Sequence, residues 1–214
     1  MVSPGEVVAV TGGNGAGKTT LLKVLATLAA PLSGKVFIEG MDALANPVRY
    51  RRLLGYMPEG APLCEEMTVK GYLKYRGSLK GEPERRLRRR MAESVAICRL
   101  EGFENARIAS LSAGMKRRVA LADAILARPK IVLLDDFPSG FDREMRESAG
   151  AALSAISAFA AVVATGHEIA DYARWATRIL VLRGGVVAAT VPAAGAPKDE
   201  TVARVDAALA GGVQ

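Results

Sequence analysis

One stretch constrains this chain more than any other: Gly12-Gly13-Asn14-Gly15-Ala16-Gly17-Lys18-Thr19-Thr20. It satisfies the spacing G-x-x-x-x-G-K-[ST]. The apolar run Val7-Val8-Ala9-Val10 enters it, and a helix-like run from Thr20 to Leu28 leaves it. Glycines let consecutive backbone N–H groups turn inward and admit an anion with no Cβ in the way. A helix starting there adds its free amides and the positive end of its dipole. Lys18 supplies a mobile cation suited to β- and γ-phosphates, and the Thr19 hydroxyl is suited to Mg²⁺. The stretch therefore predicts a strand–loop–helix unit that grips a nucleotide by its phosphates.

The rest of the chain reads as α/β. Glu6 to Val10, Ile131 to Leu134 and Ala160 to Thr165 are apolar without alternation, as central parallel strands are. Lys35 to Gly40 and Leu53 to Met57 are shorter strand candidates, and Tyr50 to Arg52 ends a helical turn. Arg178 to Leu182 and Val186 to Thr190 form a hairpin through Arg183-Gly184-Gly185. Between residues 68 and 115 the character turns helical, with one helix around Val69 to Tyr75 and another from Glu84 to Cys98. On the second, Leu87, Met91, Val95 and Cys98 share a face and Arg85, Arg86, Arg88, Arg89 and Arg90 cover the other, a pattern read as a solvated face. Further helices are expected from Lys116 to Ala127, Arg143 to Ala158 and Glu168 to Ala176. Residues 1–192 are read as one domain. Residues 193–214, rich in Ala, Pro and Gly, are read as a flexible tail with a short helix from Thr201 to Ala210.

Three further groups carry chemistry. Asp135-Asp136 ends an apolar strand, where one carboxylate suits Mg²⁺ and the next a water-polarising base. Gly166-His167 ends another, at the strand terminus where open α/β sheets bind ligands, and His167 is the single histidine. Leu111-Ser112-Ala113-Gly114-Met115 opens a helix with Ser112 as its N-cap, a second anion-binding arrangement. The net charge of +7 suits phosphate-rich ligands, nucleic acid or an anionic surface, and equally an arginine-rich proteome. Cys64 and Cys98 lack metal or redox spacing and fit a reducing compartment. No leader-like segment opens the sequence, and the apolar stretch around Ala149 to Val163 is too short to span a bilayer.

Taken in order, these motifs resemble the nucleotide-binding domain of an ABC transporter. The phosphate loop comes first, then Leu111–Met115 as the LSGGQ-type signature, Leu133-Leu134-Asp135-Asp136 as the second Walker motif, Ser139-Gly140-Phe141-Asp142 as the D-loop, and His167 as the switch histidine. Lys18 and Asp135 stand 117 residues apart, a spacing the family commonly shows. The resemblance runs from about Pro4 to Thr190, and its signature excludes most kinases and GTPases. It implies a P-loop NTPase fold: a RecA-like, mostly parallel sheet core with a helical insertion and a reduced antiparallel β subdomain. It also implies ATP and Mg²⁺ as ligands, with Thr19, Asp135 and Glu59 at the metal. Asp136, His167 and Glu59 fall at the catalytic positions. The phosphate loop, residues 111–115 and Asp142 then contact nucleotide. The partners implied are a second such domain, head to tail, and a permease on a separate polypeptide, which places the chain in the cytoplasm on the inner face of the membrane. Met115-Lys116-Arg117-Arg118 and Gly55-Tyr56-Met57-Pro58-Glu59 resemble exporter subunits.

Four departures qualify this. Asp136 stands where the family usually has Glu, leaving the carboxylate about 1.5 Å short along an extended side chain, and misplacement of about 1 Å costs on the order of 10²-fold in rate. Slow hydrolysis is expected. Glu59 replaces a Gln, and Met115 replaces the last Gln of the signature. Family members also carry, before the strand at Val7, a strand pair with an aromatic that stacks on adenine. No aromatic precedes Phe37, so either the amino end is truncated or adenine is held otherwise and weakly, and an exposed sheet edge follows. Two other functional classes stay open: a regulatory module that binds ATP with little turnover, and a soluble ATPase acting on nucleic acid or ribosomes. The second class usually has tandem domains or a coiled coil, and neither is found here.

Overall fold

The computed structural model describes residues 1–60 and 62–211. Helices and strands are interspersed along the chain. They are β1 (Val7–Gly12), α1 (Lys18–Leu25), β2 (Phe37–Ile38), β3 (Met41–Asp42), α2 (Pro47–Arg52), β4 (Leu54–Met57), α3 (Val69–Leu79) and α4 (Glu84–Ile97). A 3₁₀ turn at Ile108–Ser110 follows, then α5 (Ala113–Ile125), β5 (Ile131–Leu134), α6 (Arg143–Ser157), β6 (Ala161–Thr165), α7 (Ile169–Trp175), β7 (Arg178–Arg183), β8 (Val186–Pro192) and α8 (Lys198–Ala210).

The main sheet runs β4-β5-β6-β1-β7-β8. Every pairing from β4 to β7 is parallel, and β8 returns antiparallel on β7. All residues of β1 and β6 are buried, because helices cover both faces of the sheet, and that burial is why these strands show no alternation. One apolar cluster joins β1, β5 and β6 to α5, α6 and α8. The other lies across the sheet and holds Leu22 of α1 and Tyr50 of α2. β5, β6 and β1 are neighbours, so the phosphate loop, Asp135 and Gly166-His167 leave the same edge of the sheet side by side. That edge is where such folds bind ligands.

The helical insertion keeps its predicted face. Leu87 and Val95 of α4 are buried. Four of its five arginines pair with three carboxylates: Arg86 and Arg90 with Glu82, Arg88 with Glu84, and Arg89 with Glu93. The face therefore keeps a net positive charge, and Arg90, expected on the solvated side, is instead drawn in against Glu82 and the Ala127 carbonyl. The segment read as the strand Lys35 to Gly40 holds only Phe37–Ile38, paired with Met41–Asp42. Glu39 and Gly40 turn through the left-handed region at φ 49° and 77°, which leaves no room for a longer strand. α5 begins three residues before Lys116, because Ser112 caps it and residues 113–115 form its first turn. Close to that helix, a Cβ on Gly55 would lie 2.1 Å from the Ala124 carbonyl oxygen, so β4 rests directly on α5.

The tail differs from its sequence reading. α8 starts at Lys198 rather than Thr201, and it buries Thr201, Val205 and Ala208. Burial of one face against the body orders a segment whose composition alone reads as mobile. Residues 212–214, part of the expected tail, lie outside the described residues.

Candidate nucleotide-binding site

The phosphate loop joins β1 to α1, as its sequence requires. Gly17 is the N-cap of α1 at φ 100°, a conformation that side-chain-bearing residues adopt only under strain. The start of a helix at this position leaves first-turn amides free to meet an anion. Lys18 Nζ donates to the carbonyls of Gly12 at 2.8 Å and Gly13 at 3.1 Å, which holds the ammonium against the loop. Burial draws Lys18 below the ordinary lysine value, and the Asp136 and Asp135 carboxylates oppose that shift.

The parallel crossovers bring the second Walker motif to the same place. Thr19 Oγ1 donates to Asp135 Oδ1 at 3.2 Å. Asp135 is 2% exposed. The same oxygen accepts from Thr165 Oγ1 at 2.7 Å, while that hydroxyl accepts from the Asp136 amide at 3.0 Å. Thr165 therefore ties the two carboxylate residues together. Sequence reasoning missed it; the available signal was a polar residue closing an otherwise apolar strand just ahead of Gly166-His167. Burial, then the Asp135 carboxylate, pushes the Tyr56 phenol up to about 12.

A cleft of about 350 Å³ is lined by residues 14–20, Glu59, Asp135, Asp136, Thr165, Gly166 and His167. It thus gathers Asn14 to Thr20, both Walker aspartates and both predicted accessory groups. Gly12 and Gly13 do not line it, and their carbonyls hold the Lys18 ammonium. Among the described residues no group of three His, Cys, Asp or Glu could hold a metal ion unaided. The Thr19 hydroxyl and Asp135 carboxylate are hard oxygen donors, few in number, which fits Mg²⁺ held jointly with substrate phosphates and water.

The signature lies outside this cleft. Ser112 Oγ accepts from the Met115 amide at 3.2 Å, and both Ser112 and Ala113 are exposed. Leu111 packs into the core and Met115 packs against it, so these two anchor the helix start. A Cβ on Gly114 would come 2.8 Å from the Asp142 amide nitrogen, so the signature and D-loop touch. The Asp142 carboxylate is engaged within the chain: it accepts from the Met145 amide at 2.9 Å and from Arg118. Arg118 is 5% exposed and also donates to Glu144 at 3.0 Å and to the Arg99 carbonyl at 2.9 Å.

Burial pushes the Asp142 carboxyl up, but the Arg118 and Met145 hydrogen bonds outweigh it and hold the group below the usual carboxylate range. A depressed folded value means that the charge stabilises the fold above the unfolded aspartate value of about 3.9, and that this contribution is lost as pH falls through the folded value. Asp142→Asn keeps an N-cap and removes the charge. Thermal unfolding should show wild type more stable than Asp142→Asn at pH 7 and the gap closing below about pH 4; a gap independent of pH would contradict the pairing.

The family model described as ABC transporter matches residues 1–138. The chain belongs to the ABC transporter family. It is an ABC transporter ATP-binding domain. It is 32% identical over 87% of its length to the uncharacterized ABC transporter ATP-binding protein YxlF of Bacillus subtilis, covering 61% of that protein. It is also 32% identical over 86% of its length to Nod factor export ATP-binding protein I of Rhizobium etli, covering 58% of it. The chain thus spans about six-tenths of these relatives. An Fe(3+) ions import ATP-binding protein, FbpC of Escherichia coli, is 33% identical over 69% of the chain and is covered for 42% of its length. Among solved structures, one described as an ATP-binding subunit of an ABC transporter superposes with a TM-score of 0.84 at 29% identity, covering 96% of this chain and 90% of that one. The dimeric ABC transporter cassette MJ0796 superposes at 0.81 with 26% identity, covering 92% and 89%.

Proposed function

We propose that this ABC domain hydrolyses ATP and couples the cycle to transport by a separate permease. The observation that supports it most is the single cleft gathering Lys18, Thr19, Asp135, Asp136, Glu59 and His167. In this reading the loop amides and Lys18 bind the β- and γ-phosphates. Thr19 and Asp135 would hold Mg²⁺, which neutralises phosphate charge. Asp136 takes the proton of the attacking water, and His167 and Glu59 orient the water and the γ-phosphate.

The exposed start of α5 at Ser112 and Ala113 is proposed to complete the site of a second domain, head to tail, whether that domain is identical or a paralogue. The similar structure described as a dimeric cassette supports the pairing of two such domains. Among the described residues no helix is long and apolar enough to cross a membrane. The permease is proposed to be a separate polypeptide with this domain at its cytoplasmic face, the arrangement that the family resemblance implies. Export is favoured because the Nod factor export relative aligns over 86% of the chain and the iron import relative over 69%. The nucleic-acid reading loses part of its support, since four of the five arginines of α4 are paired with carboxylates.

ATP turnover by the purified domain, alone and reconstituted with its permease, tests the proposal. Slow hydrolysis stimulated by the permease is expected. ATP retained without turnover in both conditions would replace the motor with a regulatory clamp, a reading that the short Asp136 side chain favours.

A further inference from the structure

Arg117 lies on α5, five positions after Ser112, and every hydrogen bond it makes among the described residues ends on a main-chain carbonyl. Nε and Nη2 donate to the Ser139 carbonyl at 3.2 and 2.8 Å. Nη2 also donates to the Asp136 carbonyl at 2.8 Å. Nη1 donates to the Glu59 carbonyl and, at 3.5 Å, to that of Pro58. One guanidinium thus joins the signature helix, the loop that carries Glu59 and the loop that carries Asp136. Burial lowers its proton affinity, and Asp136, Glu59 and Asp135 raise it.

We infer that Arg117 is a positioning residue that couples the tip of α5 to Asp136 and Glu59, so that a displacement of the signature helix resets the aim of both carboxylates. The inference rests on the ATPase reading above. The physical reason is the shape of the group. A planar fork with five fixed N–H vectors can span four carbonyls of two separate loops at once, whereas an ammonium is a single point with three rotating donors. The coupling reaches Asp136 through its backbone. The carbonyl is held by Arg117 and the amide by Thr165 Oγ1, on a residue at φ 52°. Both peptide groups flanking the base are tied, so its side chain starts from a fixed origin. This role of Arg117 is not legible in the sequence, because carbonyl acceptors leave no pattern there.

Two variants test this. Arg117→Met keeps the apolar stem without donors, and Arg117→Lys keeps the charge without the fork. Amide hydrogen exchange with no nucleotide present should rise at least about tenfold across Pro58 to Gly60 and Asp136 to Gly140 in Arg117→Met, with β1 and α1 unchanged. Turnover should fall about thirtyfold while the dissociation constant for MgATP stays within about threefold, since the phosphate loop is untouched. Arg117→Lys should be intermediate in both. Unchanged exchange in Arg117→Met overturns the inference. If that variant does not fold, wild-type exchange and turnover in Arg117→Lys overturns it. A wild-type domain without turnover, combined with faster loop exchange in Arg117→Met, would uphold the clip and defeat the ATPase reading instead.

Discussion

Replacing Lys18 by alanine should lower ATP turnover by on the order of 10²–10³-fold, the usual cost of removing one pre-placed donor to developing oxyanion charge. The ammonium stands between the loop carbonyls of Gly12 and Gly13 and the field of Asp135 and Asp136. Without it the cleft keeps two buried or half-buried carboxylates facing an anionic ligand, so ATP affinity should fall together with the rate. Lys18 itself is only half-buried and packs no core, so the unfolding temperature should hold. Steady-state ATPase and equilibrium ATP binding, measured beside thermal unfolding, separate these effects. Turnover within about threefold of wild type would remove Lys18 from the phosphate site.

Asp136→Glu should act in the other direction and raise turnover by about 10- to 100-fold, because reach differing by about 1 Å is worth that much in rate. A compensating backbone shift is the alternative, and the structure restrains it. The Asp136 amide is bonded to Thr165 and its carbonyl to Arg117. Its left-handed backbone, φ 52°, is one that aspartate tolerates better than most residues with a Cβ. With the main chain held on both sides, an added methylene moves the carboxylate forward. Single-turnover kinetics at saturating MgATP read the chemical step directly. A large loss would show instead that the cleft is built around the shorter acid. Asp135→Asn serves as the contrast, since Asp135 is buried and accepts two hydroxyls, and no gain is expected there.

How much was legible beforehand depends on the range of the interaction. The phosphate loop, the apolar strands and the Ser112 cap were readable because each is written in consecutive residues and enforced by local backbone geometry. Most of the arginine face of α4 was readable too, since the glutamates that pair with Arg86, Arg88 and Arg89 lie one helical turn away; the turn of Arg90 inward to the Ala127 carbonyl was not. α8 was under-read. Its Ala, Val and Thr residues carry little amphipathic contrast, and only the surfaces of α7, β7 and β8 give them a face to bury.

The sequence by itself determined that a chain of this kind would cradle phosphates on a parallel sheet, because the glycine loop and the continuous apolar strands admit few other solutions. Only the tertiary structure decided which side chains complete that cradle. Thr19 meets Asp135 across 116 residues, Thr165 bridges the two aspartates, Arg118 claims Asp142, and Arg117 gathers carbonyls from two loops. Those contacts follow from the strand order β5-β6-β1 and from α5 lying against β4. Crossover connections set that order by burying helices on both faces of the sheet, and no local pattern records which distant residue will stand opposite another.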